Sequence, residues 1–370
     1  MKRRLFLRGT AAMTILVANG EVWRAFGQDP PEFREGPAFE PWRNFAGNAK
    51  EGPLALVHAA ILSSNAFNSQ PWLFRVSPSK IEMYADLRRN LGAFDPYRRE
   101  LYFSLGCALE NLILAAPAED YKSKITLLPG RLDSTQEKTG PQLTASIELS
   151  PGKRVTSDLY EAIPHRHTNR EPFAQQSLPA AFIGTLGKLA MEDNDIRLFL
   201  FTAEKDRKTL IDIIIGSADM LADPEVRNGT APWLRTTIDA WQASKDGAYV
   251  GEPHKSNTIE DYAKVMRSAG LFGLIAVRDR YDREQTVRAG RLWQRAHLLA
   301  TTQKVAARPA NGGVEMMDHE KALKRTPRTA SLLAAVTGDG SWQPTFMFYM
   351  GYPTVAASAS ARRGVSEVLL

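Results

Sequence analysis

A single cysteine, Cys107, stands in 370 residues. One thiol excludes an internal disulfide and a thiolate metal cage. No apolar run reaches the ~18 residues that a membrane-spanning helix requires. Neither H-E-x-x-H nor G-x-S-x-G occurs, and Gly338-Asp339-Gly340 has no third glycine and no helix signal after it, which removes a dinucleotide fingerprint. Histidines are sparse. His165 and His167 flank Arg166, whose charge repels a cation, and His58, His254, His297 and His319 stand alone, so no metal site is expected. Surplus positive charge is also missing once the N-terminus is set aside. The chain is formally +6, but residues 1–27 hold +4 of that (Lys2, Arg3, Arg4, Arg8 and Arg24 against Glu21), leaving +2. No Lys/Arg cluster interleaves with aromatics, so a nucleic-acid partner is not expected.

What is present begins with a leader. Lys2-Arg3-Arg4-Leu5-Phe6-Leu7-Arg8 has the paired arginines and following Phe-Leu of a twin-arginine signal. A short apolar core, Ala11 to Ala18, and small residues at Ala25-Phe26-Gly27 follow in the right order. Residues 1–27 are therefore expected to direct export of the folded protein to the periplasm and to be cleaved. The remainder, 44% hydrophobic over the whole chain, suffices for one large or two ordinary domains.

After a proline-rich stretch, residues 54–62 read as a helix, and 73–76 and 80–86 as strands. Asp95 is a candidate helix N-cap with Pro96 at the first helical position. Leu101, Leu105, Ala108, Leu109, Leu112 and Ala116 follow at helical spacing, and Gly106 among them predicts close helix packing. Further strands are expected over 124–128 and 144–149, with an exposed loop over 131–142. The second part predicts a short helix over 158–163, a strand over 197–201, an amphipathic helix from Glu204, a long helix over 285–305, and strands over 332–337 and 346–352. Residues 223–263 mix turn formers with exposed-looking aromatics, the character of a functional insertion or of a variable surface excursion. Gly106, Glu110, Leu114 and Ala116 match Gly290, Gln294, Leu298 and Ala300 at one constant offset, and Gln70-Pro71 before a strand is echoed by Gln343-Pro344. These echoes fit an internal duplication: a first half over 28–150 and a second over 151–370.

Two stretches carry candidate chemistry. In Ser63-Ser64-Asn65-Ala66-Phe67-Asn68-Ser69-Gln70-Pro71-Trp72, the amides of Asn65, Asn68 and Gln70 donate and accept at once, which suits a planar heterocycle with mixed edges. By composition alone a plain helix-to-strand turn is the favoured reading of the stretch. In Arg166-His167-Thr168-Asn169-Arg170, two guanidinium forks with a hydroxyl between them can converge on one anion; a solvated helix end would use the same residues.

The first stretch resembles the S-x-N-x-Q-P-W-x-F segment of the nitroreductase superfamily. The chain is more narrowly similar to the Acg family, in Asp86-Leu87-Arg88, in Asp95-Pro96 through Leu101, and in Ser104-Leu105-Gly106-Cys107-Ala108-Leu109. Met350-Gly351-Tyr352-Pro353 resembles the superfamily's G-Y-P strand end. The resemblance implies an α+β fold: two pseudo-equivalent nitroreductase-like halves in one chain, mainly antiparallel sheets wrapped by long helices, with 223–263 as a lid. It implies FMN as cofactor, held by Asn65, Ala66, Asn68 and Gln70, by a phosphate clamp of Arg166, Thr168 and Arg170, and by the late basic pair Arg362 and Arg363. A fused pair of halves would hold FMN within one monomer. The implied activity is flavin-dependent reduction, with NAD(P)H or another donor and an unspecified acceptor; the alternative is a protein that sequesters FMN without turnover.

Overall fold

A computed structural model of the chain describes residues 36–45, 52–134, 140–249 and 259–370. Residues 1–27, where a twin-arginine leader is expected, lie outside the described residues.

Helices α1 (Glu40–Arg43) and α2 (Leu54–Ala60) lead into the first sheet. That sheet comprises β1 (Trp72–Ser77), β2 (Lys80–Asp86), β3 (Tyr121–Leu127) and β4 (Pro141–Pro151), antiparallel throughout, in the order β1-β2-β4-β3. The long helix α3 (Arg99–Ala118) connects its second and third strands. In β2, Ile81, Met83 and Ala85 are fully buried while Lys80, Glu82 and Tyr84 are only half-buried, the period-two pattern of a strand with one face on a core.

The second half repeats this plan. Helices α4 (Asp158–Glu161), α5 (Ala180–Lys188) and α6 (Glu204–Gly216) surround β5 (Ile196–Phe201). An excursion follows, with α7 (Pro224–Thr230), the short strands β6 (Leu234–Arg235) and β7 (Ala248–Tyr249), α8 (Ile238–Ser244) and α9 (Ile259–Ser268). Then come β8 (Leu271–Val277), the long helix α10 (Arg283–Thr302), β9 (Ala306–Pro309), helices α11 (Gly312–Ala322) and α12 (Arg328–Thr337), and β10 (Gln343–Gly351). The antiparallel order is β5-β8-β10-β9. In both sheets the strands run first-second-fourth-third, with a 20-residue helix between second and third. The fold is α+β, in two pseudo-equivalent halves.

The two long helices cross where their glycines meet. A Cβ on Gly106 would lie 2.0 Å from the Val287 carbonyl oxygen, and one on Gly290 would lie 2.0 Å from that of Phe103. Only glycine permits backbones this close. Around the crossing, the buried Glu110 carboxylate accepts from Arg291 and Arg295, Gln294 Nε2 donates to Asn111 Oδ1 at 2.8 Å, and Cys107 Sγ donates to Gly290 O at 3.3 Å. Among the described residues α3 is the one helix long and apolar enough to cross a membrane, but 83% of its most apolar window is buried inside the fold, as befits a core helix.

Three sequence expectations are corrected. Asp95 is not the N-cap: the helix starts at Arg99, after Arg98 at φ 59°, and Asp95 reaches in to accept from Leu101 N–H at 3.1 Å. Residues 332–337 form the end of α12 rather than a strand, because the run is alanine- and leucine-rich, good helix-forming chemistry, and Gly338 closes it in the left-handed conformation at φ 67°. The aromatics of the insertion are not exposed. Trp233 and Trp241 are buried, the latter edge-on to Phe39 with ring centroids 5.4 Å apart. In the 131–142 loop Leu132 is buried, and residues 135–139 lie outside the described residues.

Candidate functional site

The stretch after α2 is unusual in its backbone. Phe67, Asn68 and Gln70 all have positive φ, near 50°. Non-glycine residues there are strained by ~1–3 kcal/mol each and persist only where surroundings over-determine them. Here side-chain amides do so. Asn65 Oδ1 accepts from Gln70 N–H at 2.8 Å, and Asn65 Nδ2 donates to Ser63 O at 3.2 Å. Asn68 Nδ2 donates to Gly247 O at 3.1 Å and Ala361 O at 2.9 Å, and its Oδ1 accepts from Arg362. Gln70 Nε2 donates to Lys245 O at 2.8 Å, while its Oε1 accepts from Arg363 N–H at 2.9 Å. One strained loop thus ties together the 223–263 insertion and the C-terminal segment.

The C-terminal segment is brought there by strand pairing. Phe74 N–H donates to Val368 O and accepts from Leu370 N–H through its carbonyl, both at 2.8 Å, so the chain end lies along the edge of β1. Residues 166–170 are extended too: Thr168 forms a parallel bridge with Ala307 at the edge of β9, and Asn169 N–H donates to Ala307 O at 3.1 Å. In extended chain alternate residues share a face; Arg166, Thr168 and Arg170 reach the same cavity, and the intervening His167 lines it too.

That cavity has a volume of about 270 Å³ and is walled by both halves. From the first come Ser64, Asn65, Ala66, Asn68, Phe103 and Cys107, from the second Arg166, Thr168, Arg170, Trp293, Arg308 and Arg362. The insertion adds Leu234, Gly247 and Ala248. Seven of the nine expected site residues line it. Gln70 and Arg363 do not. Both are buried against backbone instead, Arg363 donating to the carbonyls of Gln70 and Trp72. Asn68 lines the wall with both amide atoms engaged by the protein.

Arginines make up one stretch of this wall, while Glu100 and Glu315 line another. Arg166 is 3% exposed and Arg362 2%. Arg166 donates to Leu62 O at 2.8 Å and Ser64 Oγ at 3.1 Å; Arg362 donates to Ser63 O at 3.1 Å and Ser360 Oγ at 2.9 Å. Neither has a carboxylate within ion-pair reach among the described residues, and the Nε of each is buried with no hydrogen-bond partner. Burial pushes the Arg166 guanidinium down to about 10, and burial with the nearby Arg166 and Arg170 charges holds Arg362 well below its ordinary value. Arg308 is lowered by burial as well. Buried cations without counter-ions are expensive; a bound anion would relieve them.

Sequence reasoning missed several of these groups. Trp42 offers its ring to both guanidiniums, at 4.9 Å from Arg362 and 5.9 Å from Arg166, a cation–π contact that partly offsets their burial. Its Nε1 donates to Ser360 O at 2.8 Å. His297, on α10, is kept neutral by burial and the Arg166 charge; its Nε2 faces His167 O at 3.2 Å and its Nδ1 faces Ser64 Oγ at 3.5 Å. It thereby orients the hydroxyl that receives Arg166. Arg308 sits on a short strand with no motif around it. None of these had a local sequence signal.

The described part of the insertion is latched over this site. Asp246 joins Arg235 at 2.6 Å and also pairs with Arg89, whose guanidinium lies 4.9 Å over Trp233. Gly247 N–H donates to Asn68 O at 3.1 Å.

Fold and site together define an α+β protein with an anion-receptive cavity between two like halves. Comparisons with known proteins give it relatives. No family model matches the chain. A curated Mycobacterium tuberculosis protein, provisionally named an NAD(P)H nitroreductase, is 28% identical over 133 residues, 35% of this chain and 37% of that protein. An uncharacterised protein of the same organism is 28% identical over 128 residues, 32% of this chain and 35% of that one. The similarity thus spans little more than a third of the curated relatives' length. Similar solved structures include a provisionally named nitroreductase from Anabaena variabilis (12% identity, 74% of this chain, 69% of that one, TM-score 0.45) and a nitroreductase with bound FMN from Desulfitobacterium hafniense (10% identity, 58% and 97%, TM-score 0.39).

Proposed function

We propose that the chain is an FMN-dependent oxidoreductase of the nitroreductase kind, in the manner of the Acg family, exported by the twin-arginine route. The observation that carries this reading is the pair of buried guanidiniums, Arg166 and Arg362, whose Nε atoms lack partners on the wall of a cavity between the halves. The donor set fits a phosphate monoester, which carries about −1.5 to −2 charge and three acceptor oxygens. Arg166, Arg170 and Arg362 would hold that phosphate, with Thr168 beside them. The aromatic and aliphatic wall, including Phe103, Trp293 and Leu221, would cover a flat ring system and exclude water. Bound FMN supplies the hydride and electron transfer. A reduced nicotinamide is the donor that the relative's name suggests.

A second reading, an FMN-sequestering protein, is favoured by one observation: Asp246 and the amides of Asn68 and Gln70 latch the insertion down through buried contacts. Purified protein should be yellow with non-covalent FMN, and sedimentation should find the flavin on a monomer. Folded, colourless protein that also refuses added FMN overturns both readings. Turnover of NAD(P)H selects the enzyme; retention of FMN without turnover selects sequestration.

A further inference from the structure

The cavity has a second pole, opposite in charge to its arginine stretch. Glu100 and Glu315 line it there, with Asp95 and Asp318 behind them, and all four carboxyls are buried. Among the described residues the buried cations paired with this group are Arg99 and Arg280. Four carboxylates against two guanidiniums would leave surplus negative charge away from water, which burial disfavours strongly. Three of the carboxyls have protein partners. Asp318 accepts from Arg99 Nε at 2.8 Å, Arg280 at 3.0 Å and Tyr281 Oη at 2.8 Å. Glu100 accepts from Arg99 at 2.8 Å and from Asn311 Nδ2, and both contacts use its Oε1 rather than Oε2. Asp95 accepts from Leu101 N–H at 3.1 Å.

Glu315 differs from all three. It lies on α11, is 8% exposed, and lines the cavity, yet its carboxyl makes no hydrogen bond or ion pair among the described residues. The titratable groups that face it are Glu100, Arg99 and Asp95 from the start of α3 and the turn before it, Asp318 from its own helix, and Tyr262 from α9. Burial and the nearby carboxylates push it well above the ordinary range, so in the empty cavity a proton supplies its counter-charge. The wall around this pole is apolar. Phe67 and Phe94 meet edge-on with centroids 5.1 Å apart, and Met220 and Leu221 pack in the same cluster. Ser217, beside Gly312 at the start of α11, donates its hydroxyl proton to Ile214 O at 2.6 Å and so keeps lone pairs to accept with.

We propose that this pole is a binding site for a small organic cation, a primary ammonium on an aryl or alkyl body, held by Glu315 and Glu100. An ammonium brings three donors and no acceptor. The wall answers with acceptors: the Glu315 carboxylate, Glu100 Oε2 and Ser217 Oγ. The ammonium takes over as counter-charge from the Glu315 proton, and the rings of Phe67 and Phe94 suit its apolar body and its charge. A neutral carbonyl ligand would accept from Glu315 but leave Glu100 Oε2 unserved. On binding, the Glu315 O–H bond breaks and its proton passes to solvent, while the ammonium keeps its own three; no other covalent bond changes. The site does not depend on the flavin reading, whose phosphate pole is built from Arg166, Arg170 and Arg362.

The test is titration calorimetry on the full chain as purified, with 2-phenylethylamine as probe and 2-phenylethanol as its neutral counterpart. Near neutral pH the amine is protonated, as lysine is below its ~10.4. The amine should bind at least about tenfold more tightly than the alcohol. Titrations in two buffers of different ionisation enthalpy should show about one proton released per amine bound. Because the ammonium selects the carboxylate form, its affinity should rise with pH, by up to about tenfold per unit, and level off once the carboxyl ionises by itself. Neither readout needs a variant. Glu315→Gln should abolish the proton release and weaken the amine about 10- to 100-fold, with the alcohol hardly affected. Amine binding no tighter than the alcohol, an affinity independent of pH, or proton release that persists in Glu315→Gln would each overturn the assignment and leave FMN binding, followed by flavin absorbance, untouched. Colourless protein that refuses FMN but binds the amine in this way would overturn the flavin reading and leave this site standing.

Discussion

Arg166→Met separates what the anion site does for binding from what it does to the fold. Methionine keeps much of the length and removes the charge. In the folded protein burial pushes the guanidinium from its ordinary value down to about 10. At 1.36 kcal/mol per unit, the folded state bears a penalty of about 3 kcal/mol for keeping this cation. The sign follows from its being a base with a depressed folded pKa: the penalty is present at every pH below about 10 and is relieved as pH rises beyond it. Against that relief, the variant loses the bonds to Leu62 O and Ser64 Oγ, at about 1 kcal/mol each. FMN-free Arg166→Met should therefore match the parent or exceed it by about 1 kcal/mol in urea unfolding. FMN affinity should meanwhile fall about 10- to 100-fold. With FMN at 100 times the parent's Kd, the parent gains about 2.7 kcal/mol from the ligand and a variant weakened 100-fold only about 0.4 kcal/mol. Riboflavin lacks the phosphate, so its affinity should hardly change. Urea unfolding with and without each ligand, and titration calorimetry, measure all of these. An FMN-free variant several kcal/mol less stable than the parent, or equal losses for FMN and riboflavin, would refute the reasoning.

Other expectations follow from the same geometry. Gly106→Ala places a methyl 2.0 Å from the Val287 carbonyl oxygen, so the helix crossing must open; a loss of several kcal/mol is expected in urea unfolding, and an unchanged midpoint would mean that the crossing is not rigid. Asp95, lifted from 3.8 to about 7, makes the fold less stable as pH rises through that range, and Asp95→Asn should remove the effect. The stability difference between variant and parent should grow by about 4 kcal/mol from pH 4 to pH 8; parallel curves would count against it. Asp246→Asn loosens both arginine pairs of the latch, so FMN should dissociate on the order of tenfold faster and the insertion should become easier to proteolyse. Arg3→Lys with Arg4→Lys should hold the protein in the cytoplasm, and normal export of that double variant, by fractionation, would show that the leader is misread.

The α+β class was legible through the family resemblance, and β2 and the long helix α3 through hydrophobic periodicity within one segment. The duplication was legible too, since Gly106 and Gly290 must both be glycine where equivalent helices cross. Residues 332–337 misled because a short apolar run carries no period that separates strand from helix; the tertiary setting and Gly338 decided it. Within the site, the arginines at 166 and 170 stood out by spacing. Their shared face, however, comes from the bridge of Thr168 to Ala307, some 140 residues away. The amides of Asn68 and Gln70 were visible, but their partners were not: Lys245, Gly247, Ala361 and Arg363 are distant in sequence, and what a buried amide donates to is decided by whatever backbone packs against it. Trp42 and Arg308 had no motif at all. A local sequence determines which groups are present and what each can donate or accept, whereas burial, which lowers the Arg166 guanidinium and raises the Asp95 carboxyl, exists only once the chain has folded around them.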